Sequence, residues 1–227
     1  MDENLTKNYN ALSSVEELYE IELADNIIKK VGKEDAKLLD LGGGTGRFSQ
    51  FFRNKINWDI TVADYSNNML EEAKLKGFKT ILIDINNINF DEKFDVIVIK
   101  FCIHFVNDNK NFFKAISKIL KPNGNIYIIT RPKRTDFPFT EKLHTQWANS
   151  QPHPEEIIAF SETYFNKNIE TLKFPISMKS NTWKNMMINK VYSHIRDDDV
   201  EEAKSYPDSD EIINFNENII LIELTLI

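Results

Sequence analysis

The sequence predicts an α/β fold whose core is a mostly parallel sheet with helices on both faces. Three observations support this prediction. Residues 37–49, KLLDLGGGTGRFS, are typical of a strand, a glycine turn and a helix. Two later apolar segments, WDITVA at 58–63 and FDVIVI at 94–99, are separated by helical patterns, as parallel strands require. The segment LKPNG at 120–124 then ends a helix and turns the chain into another strand at 125–130.

The composition fits a single domain over residues 1–227 and disfavours several classes of protein. Hydrophobic residues make up 41% of the chain, enough for a full core, and the formal net charge of −7 disfavours a nucleic-acid substrate. The one cysteine, Cys102, excludes an intrachain disulfide, and no histidine–cysteine cluster predicts a metal site. The polar N-terminus and the short apolar stretches predict a cytoplasmic protein without a membrane span.

An amphipathic helix is predicted ahead of the first strand, over residues 15–31. Apolar side chains recur there at helical spacing, and Gly32 can end the helix. Ser13 or Ser14 can cap its start. The polar residues 1–13 are expected outside the helix, either mobile or draped over the domain.

The glycine turn is the most informative segment. Gly42, Gly44 and Gly46 stand at alternate positions, and Asp40 lies two residues before the first of them. Glycine is needed where the backbone takes a positive φ angle or where a ligand contacts bare backbone. The spacing GxGxG differs from the GxGxxG of dinucleotide-binding proteins. It resembles motif I of the class I S-adenosylmethionine-dependent methyltransferases; a strand-to-helix turn of another α/β protein is the alternative.

An acidic residue follows the second strand, as it does in that family. Asp64 comes about 20 residues after the glycines, where a carboxylate can accept two hydrogen bonds from a ribose diol. Asp64 or Ser66 could instead cap the next helix. The resemblance also implies that Tyr65 and Met69 lie beside the cofactor, with Met69 near the adenine, although Met69 could simply belong to the core.

A second acidic residue, Asp84, follows the third predicted strand at 79–83. The resemblance implies that Asp84 binds the exocyclic amine of the adenine and that the backbone amide of Ile85 reaches a ring nitrogen. The alternative is a polar residue that only ends a strand.

The resemblance implies that the end of the strand at 94–99 faces the transferred methyl group. In the family, a backbone carbonyl near Lys100 and Phe101 often holds the amine of the cofactor. His104 matches a histidine that is frequent in the small-molecule and quinone-methylating branches, and it is the first candidate for a catalytic base. A helix-capping or buried, hydrogen-bonded histidine is the alternative reading of His104.

These motifs follow one another in the family's order over residues 36–131, which is the expected cofactor-binding core. The resemblance implies a Rossmann-like seven-stranded sheet, mostly parallel, in which the apolar segment 219–227 inserts as an antiparallel last strand beside the sixth strand at 169–178. Tyr9, ahead of the first helix, could fold over the cofactor as a lid or belong to an exposed arm.

Residues 133–215 are predicted to form a small aromatic-rich cap with substrate-binding insertions around the sixth strand. The stretch after Arg131 is longer than a parallel crossover needs. His144 is a second candidate for a base, as is His153. The aromatic side chains of this segment could line a pocket for an apolar or aromatic substrate, or could simply pack the cap. They are Phe137, Phe139, Trp147 and Trp183.

The predicted function is methyl transfer from S-adenosyl-L-methionine, with S-adenosylhomocysteine as product, to a nucleophilic O, N, S or C of a small molecule by in-line displacement. A sulfonium leaving group needs little covalent help, so the protein mainly aligns the reactants and excludes water. An RNA or protein methyltransferase, a noncatalytic S-adenosylmethionine-binding regulatory module and an NAD-type oxidoreductase are the alternatives. The acidic net charge weighs against RNA, and the GxGxG spacing and Asp84 weigh against NAD.

Overall fold

The structure of the protein is a computed structural model. It describes residues 3–151, 154–192 and 194–227, and of residues 3–15 and Leu18 it describes the backbone only. The described strands are β1 Lys37–Leu41, β2 Asp59–Asp64, β3 Lys79–Leu82, β4 Phe94–Lys100, β5 Leu120–Thr130, β6 Phe165–Lys179 and β7 Ile212–Leu226. The described helices are α1 Glu3–Val31, α2 Arg47–Arg53, α3 Asn67–Leu75, α4 Asn109–Ile119, α5 Glu141–Ser150, α6 Pro154–Ser161, α7 Ser180–Ile188 and α8 Asp197–Ala203, with a 3₁₀ turn at Ile103–Phe105.

Across the described residues, the strands form one seven-stranded sheet in the order β3-β2-β1-β4-β5-β7-β6. The pairs from β3 across to β5 are parallel, whereas β5 and β7 are antiparallel. The predicted mostly parallel sheet with an antiparallel last strand is therefore confirmed, and the last strand lies between β5 and β6. The strand order reverses between β1 and β4, and ligands of open α/β sheets bind at the carboxyl ends of strands beside such a reversal.

The first helix begins earlier than predicted. Helix α1 starts at Glu3, so the expected start near residue 15 was wrong, and Ser13 and Ser14 lie inside the helix rather than at its cap. No proline or glycine occurs between Glu3 and Val31, so nothing in the backbone interrupts the helix there. Tyr9 lies on this helix, but its side chain is outside the described residues.

The chain divides into two compact units. The first, here called the sheet unit, comprises Glu20–Arg131, Pro152–Thr171 and Ile219–Ile227. The second, here called the aromatic unit, comprises Met1–Tyr19, Pro132–Gln151 and Leu172–Asn218. The aromatic unit thus contains much of the segment 133–215, and the role of that segment in holding a substrate stays a prediction.

The core of the sheet unit is apolar on both faces of its central strands. β1, β4 and β5 supply buried leucine, isoleucine and valine side chains, and α4 adds Phe112, Phe113 and Ile116. Continuous apolar strands of this kind are expected where helices cover both faces of a parallel sheet. This packing holds the strand ends, and with them the loops of the candidate site, on a rigid frame.

The aromatic unit has a core of its own. The ring centroid of Trp147 lies within 6 Å of the ring centroids of Phe137 and Phe139. The Trp147 indole Nε1 donates a hydrogen bond to the Pro132 carbonyl at 2.9 Å. Trp183 contacts the same two phenylalanine rings. All four side chains are buried, so in this structure they pack against one another, as the packing alternative expects.

None of the described helices is both long enough and apolar enough to cross a membrane.

Candidate functional site

The glycine turn after β1 has the backbone conformation that its residues predict. Gly42, Gly44 and Gly46 have φ angles of 76°, 55° and 68°, a region that side chains disfavour. The Gly42 and Gly43 amides both donate to the Ala63 carbonyl of β2, at 2.7 and 3.1 Å. The turn is therefore fastened to the end of the neighbouring strand.

Three glycines of the turn also avoid clashes. A Cβ on Gly42 would lie 2.5 Å from Cys102 Sγ, and a Cβ on Gly46 would lie 2.8 Å from the Phe78 ring. A Cβ on Gly43 would meet the Asp40 carboxyl group at 2.5 Å. Around Gly44, by contrast, no atom of the described residues other than its chain neighbours lies within 4 Å of the position of a Cβ. Gly44 thus presents bare backbone to open space, where a ligand can approach closely.

Asp40 is a buried carboxyl group beneath the turn. Ser49 on α2 donates its hydroxyl to Asp40 Oδ2 at 2.7 Å. Burial raises the pKa of Asp40 to about 6, although the Ser49 hydroxyl and the nearby Lys100 ammonium oppose that rise. Asp40 therefore ties the end of β1 to the start of α2 and carries a desolvation cost when ionised.

The raised pKa of Asp40 predicts a pH-dependent contribution to stability. In the unfolded chain the group ionises near 3.8, and in the folded chain near 6, so the contribution is complete below pH 4 and is lost as the pH rises past 6. Asp40→Asn cannot ionise. We expect its free energy of unfolding, relative to the natural chain, to increase by about 2 kcal/mol between pH 4 and pH 7 in urea titrations.

The control for this pH series is Asp91→Asn, a change in an exposed loop. Its free energy of unfolding relative to the natural chain should stay constant within about 0.5 kcal/mol. A pH-independent difference for Asp40→Asn would contradict the raised pKa.

Asp64, at the end of β2, holds the glycine turn from the other side. Its Oδ2 accepts the Gly44 amide at 3.0 Å and its Oδ1 accepts the Ser66 amide at 2.9 Å. Ser66 occupies the N-cap position of α3 without a capping side-chain hydrogen bond. The structure thus joins the predicted motif I glycines and the predicted ribose acid directly. Nearby, Tyr65 is 73% exposed and Met69 is half-buried.

Asp84 is exposed in the loop after β3. Its Oδ1 accepts hydrogen bonds from both the backbone amide and the side-chain amide of Asn86, at 2.9 and 3.0 Å. Ile85, between them, is half-buried and packs against the core of the sheet unit. The side chain of Asn86 also reaches the segment after β4, because its Nδ2 donates to the Phe105 carbonyl at 3.0 Å.

A buried ionic cluster, which the sequence did not predict, lies at the end of β4. The Glu20 carboxylate on α1 is fully buried and accepts hydrogen bonds from both terminal nitrogens of Arg47, the nearer contact being Arg47 Nη1 to Oε2. The Lys100 ammonium lies 2.6 Å from Glu20 Oε1. One feature of the sequence indicates this cluster. Glu20 stands four residues before Ala24 and seven before Ile27, so its charge lies on the apolar face of the helix.

Phe101 adopts an unusual backbone conformation directly after β4. Its φ angle is 53°, in the left-handed region, while its amide donates to the Ile129 carbonyl at 2.9 Å. The Lys100 ammonium and the Arg131 guanidinium lie 4.3 and 3.8 Å from its ring centroid, which are cation–π distances. A non-glycine residue held in this conformation is typical of functional loops.

The candidate histidines are not in one unit. His104 lies in the 3₁₀ turn of the sheet unit; its side chain is exposed, with its ring 4.1 Å from that of Phe105. Partial desolvation lowers the pKa of His104 below 6.5. His144 lies on α5 of the aromatic unit, edge-on to Phe139. His153 lies outside the described residues.

The neighbouring Cys102 is buried and donates its thiol to the Leu41 carbonyl at 3.2 Å. Burial raises the pKa of the Cys102 thiol far above its usual value, so it is protonated at neutral pH. In the described residues no group of three or more histidine, cysteine, aspartate or glutamate side chains is placed to hold a metal ion.

Comparison with known proteins shows what the central segment of the chain is similar to. Residues 39–128, which contain β1 to β5 nearly complete together with the glycine turn, match the family model described as a methyltransferase domain. The matched segment supports a class I S-adenosylmethionine-dependent methyltransferase. The cofactor of this family is S-adenosylmethionine.

Two curated relatives illustrate what this chain is similar to. A ubiquinone/menaquinone biosynthesis C-methyltransferase of Vibrio parahaemolyticus is 26% identical over 134 residues, which are 54% of this chain and 52% of that protein. A malonyl-[acyl-carrier protein] O-methyltransferase of Calditerrivibrio nitroreducens is 30% identical over 109 residues, 48% of this chain and 43% of that protein. The chain thus spans about half the length of these relatives.

The fold of this chain is shared over nearly its whole length with a solved structure. The S-adenosylmethionine-dependent methyltransferase of Thermotoga maritima covers 97% of this chain and 95% of its own, with a TM-score of 0.61 and 17% identity. At that identity the likeness establishes the fold alone.

Proposed function

We propose that this chain transfers a methyl group from S-adenosylmethionine to a nucleophilic O, N, S or C atom of a small molecule. One observation carries the proposal: within a segment that matches the methyltransferase family, Asp64 accepts a hydrogen bond from Gly44, the glycine whose backbone faces open space. This arrangement can accommodate a cofactor that lies on bare backbone and places its ribose beside an acidic side chain.

The residues present fit the cofactor. Each oxygen of the Asp64 carboxylate accepts one backbone amide, and an ionised carboxylate has roughly four acceptor positions. Acceptor capacity therefore remains for both hydroxyls of a ribose. At the next strand end, Asp84 and Ile85 are proposed to hold the adenine, because Asp84 is exposed and only its Oδ1 carries hydrogen bonds from the described residues.

The remaining cofactor contacts are proposed from the positions of the residues in the chain. The backbone at Lys100 and Phe101 is proposed to hold the amine of the cofactor, with Tyr65 and Met69 beside the adenine and Tyr9 as a lid. The buried Glu20 carboxylate fixes the Lys100 side chain, so the strand end is rigid where the amine would bind. Asp40 is proposed as part of the cofactor-binding turn, which it supports from below through Ser49.

S-adenosylmethionine, when bound, supplies an electrophilic methyl group whose leaving group becomes neutral. The chain's own residues then have to orient the acceptor, exclude water and remove a proton where the acceptor carries one. His104 is proposed as the base, because its exposed ring follows β4 and its lowered pKa leaves it neutral at pH 7. His144 is the second candidate.

A small-molecule acceptor is supported by the relatives, one of which acts in quinone biosynthesis and one on a malonyl group carried by a protein. It is also supported by the net charge of −7, which disfavours binding to RNA.

The proposed ribose contact is tested by Asp64→Ala. We expect the variant to bind S-adenosylmethionine about 10 to 100 times more weakly, because two ribose hydrogen bonds and the anchor of the Gly44 amide are lost. Asp59→Ala, at the opposite end of the same strand, is the matched control and should bind normally. Calorimetric titration of both variants measures the effect, and unchanged affinity in Asp64→Ala would remove Asp64 from the cofactor site.

A further inference from the structure

Asn86 joins two loops of the sheet unit through one side chain. Its Nδ2 donates to Asp84 Oδ1 in the loop after β3 and to the Phe105 carbonyl in the 3₁₀ turn after β4, both at 3.0 Å. Its Oδ1 accepts the backbone amide of Asn107 at 2.8 Å. The same side chain therefore contacts the proposed adenine acid and both ends of the segment that directly follows His104.

Only one of the two oxygens of the Asp84 carboxylate accepts hydrogen bonds from the described residues. Oδ1 accepts the backbone amide and the side-chain amide of Asn86, so its direction is set by two donors. Among the described residues, no hydrogen bond reaches Asp84 Oδ2. A carboxylate on an exposed loop would otherwise rotate freely, and ordering it on binding would cost conformational free energy.

We propose that Asn86 is a positioning residue that orients Asp84 toward the adenine of the cofactor and fastens the His104 segment to the same loop. This inference rests on the proposed function. It goes beyond that function because it assigns a role to a side chain that need not touch cofactor or acceptor.

The chemistry of the side chain explains why an amide stands here. The site needs two N–H donors on one nitrogen and one acceptor oxygen, and among side chains of this length only asparagine offers both. Aspartate would keep the acceptor for Asn107, but it would lose both donors and place a second negative charge beside Asp84. Alanine removes all three hydrogen bonds without adding charge.

The first test measures affinity for S-adenosylhomocysteine by calorimetry in a double-mutant cycle. Asn86→Ala should bind about five to twenty times more weakly than the natural chain. In the Asp84→Ala background, adding Asn86→Ala should change the affinity less than twofold, because Asn86 acts through Asp84. A merely structural role would instead give an additive loss.

The second test follows the His104 segment directly. The Asn107 amide proton should exchange with solvent at least several-fold faster in Asn86→Ala, because its acceptor is gone. Asn87→Ala is the matched control: it lies in the same loop, and its side chain makes no hydrogen bond with the described residues. It should keep both the affinity and the exchange rate of the natural chain.

The outcomes separate the inference from the proposed function. If the natural chain binds S-adenosylhomocysteine and Asn86→Ala binds it equally well, or if the losses in the cycle are additive, the inference about Asn86 is overturned alone. If the natural chain does not bind S-adenosylhomocysteine, both the proposed function and this inference are overturned.

Discussion

Glu20→Ala should lower the free energy of unfolding by about 3–5 kcal/mol, because it leaves two cations in a buried cluster without their shared carboxylate. Arg47 and Lys100 are mostly buried, and both contact Glu20. Removing one partner of a buried ionic cluster costs far more than the cluster itself contributes. Urea unfolding at neutral pH, with the slope compared between variants, measures the change.

Glu22→Ala supplies the control for this loss of stability. Glu22 lies two residues away on the same helix and is exposed, so its replacement should change the free energy of unfolding by less than about 0.5 kcal/mol. Equal effects of the two substitutions would mean that the Glu20 cluster is not buried as described.

His104→Ala should lower turnover by about 10²–10⁴-fold if the imidazole removes a proton from the acceptor. The base is active when neutral, and the pKa of His104 lies below 6.5. Turnover in the natural chain should therefore fall as the pH drops through this lowered pKa, and this acid limb of the pH profile should vanish in His104→Ala. The measurement uses an acceptor found by screening with methyl-labelled S-adenosylmethionine.

His144→Ala tests the second candidate for the base, which lies on α5 in the other unit. Its turnover should stay within a few-fold of the natural chain, and the acid limb should remain. If the limb persists in His104→Ala and disappears in His144→Ala, then His144 is the base. A small effect of both substitutions would mean that the reaction uses neither histidine.

Local signals allowed the central part of the fold to be predicted. Positive φ angles at Gly42, Gly44 and Gly46 require glycine, and apolar runs such as residues 94–99 have few alternatives to a covered strand. The start of α1 was missed because residues 3–14 are polar, and hydrophobic periodicity does not report a helix without an apolar face.

The sequence by itself determined the glycine turn, the acids at the strand ends and the succession of the central strands along the chain, because each depends on residues that are neighbours in the chain. The tertiary structure alone decided which charges meet, since Glu20, Arg47 and Lys100 come from three separate elements. It also decided that Trp147 and Trp183 pack against the same two phenylalanine rings, and that Asn86 reaches the segment after β4. Such contacts join residues far apart in sequence, and no local pattern of residues specifies them.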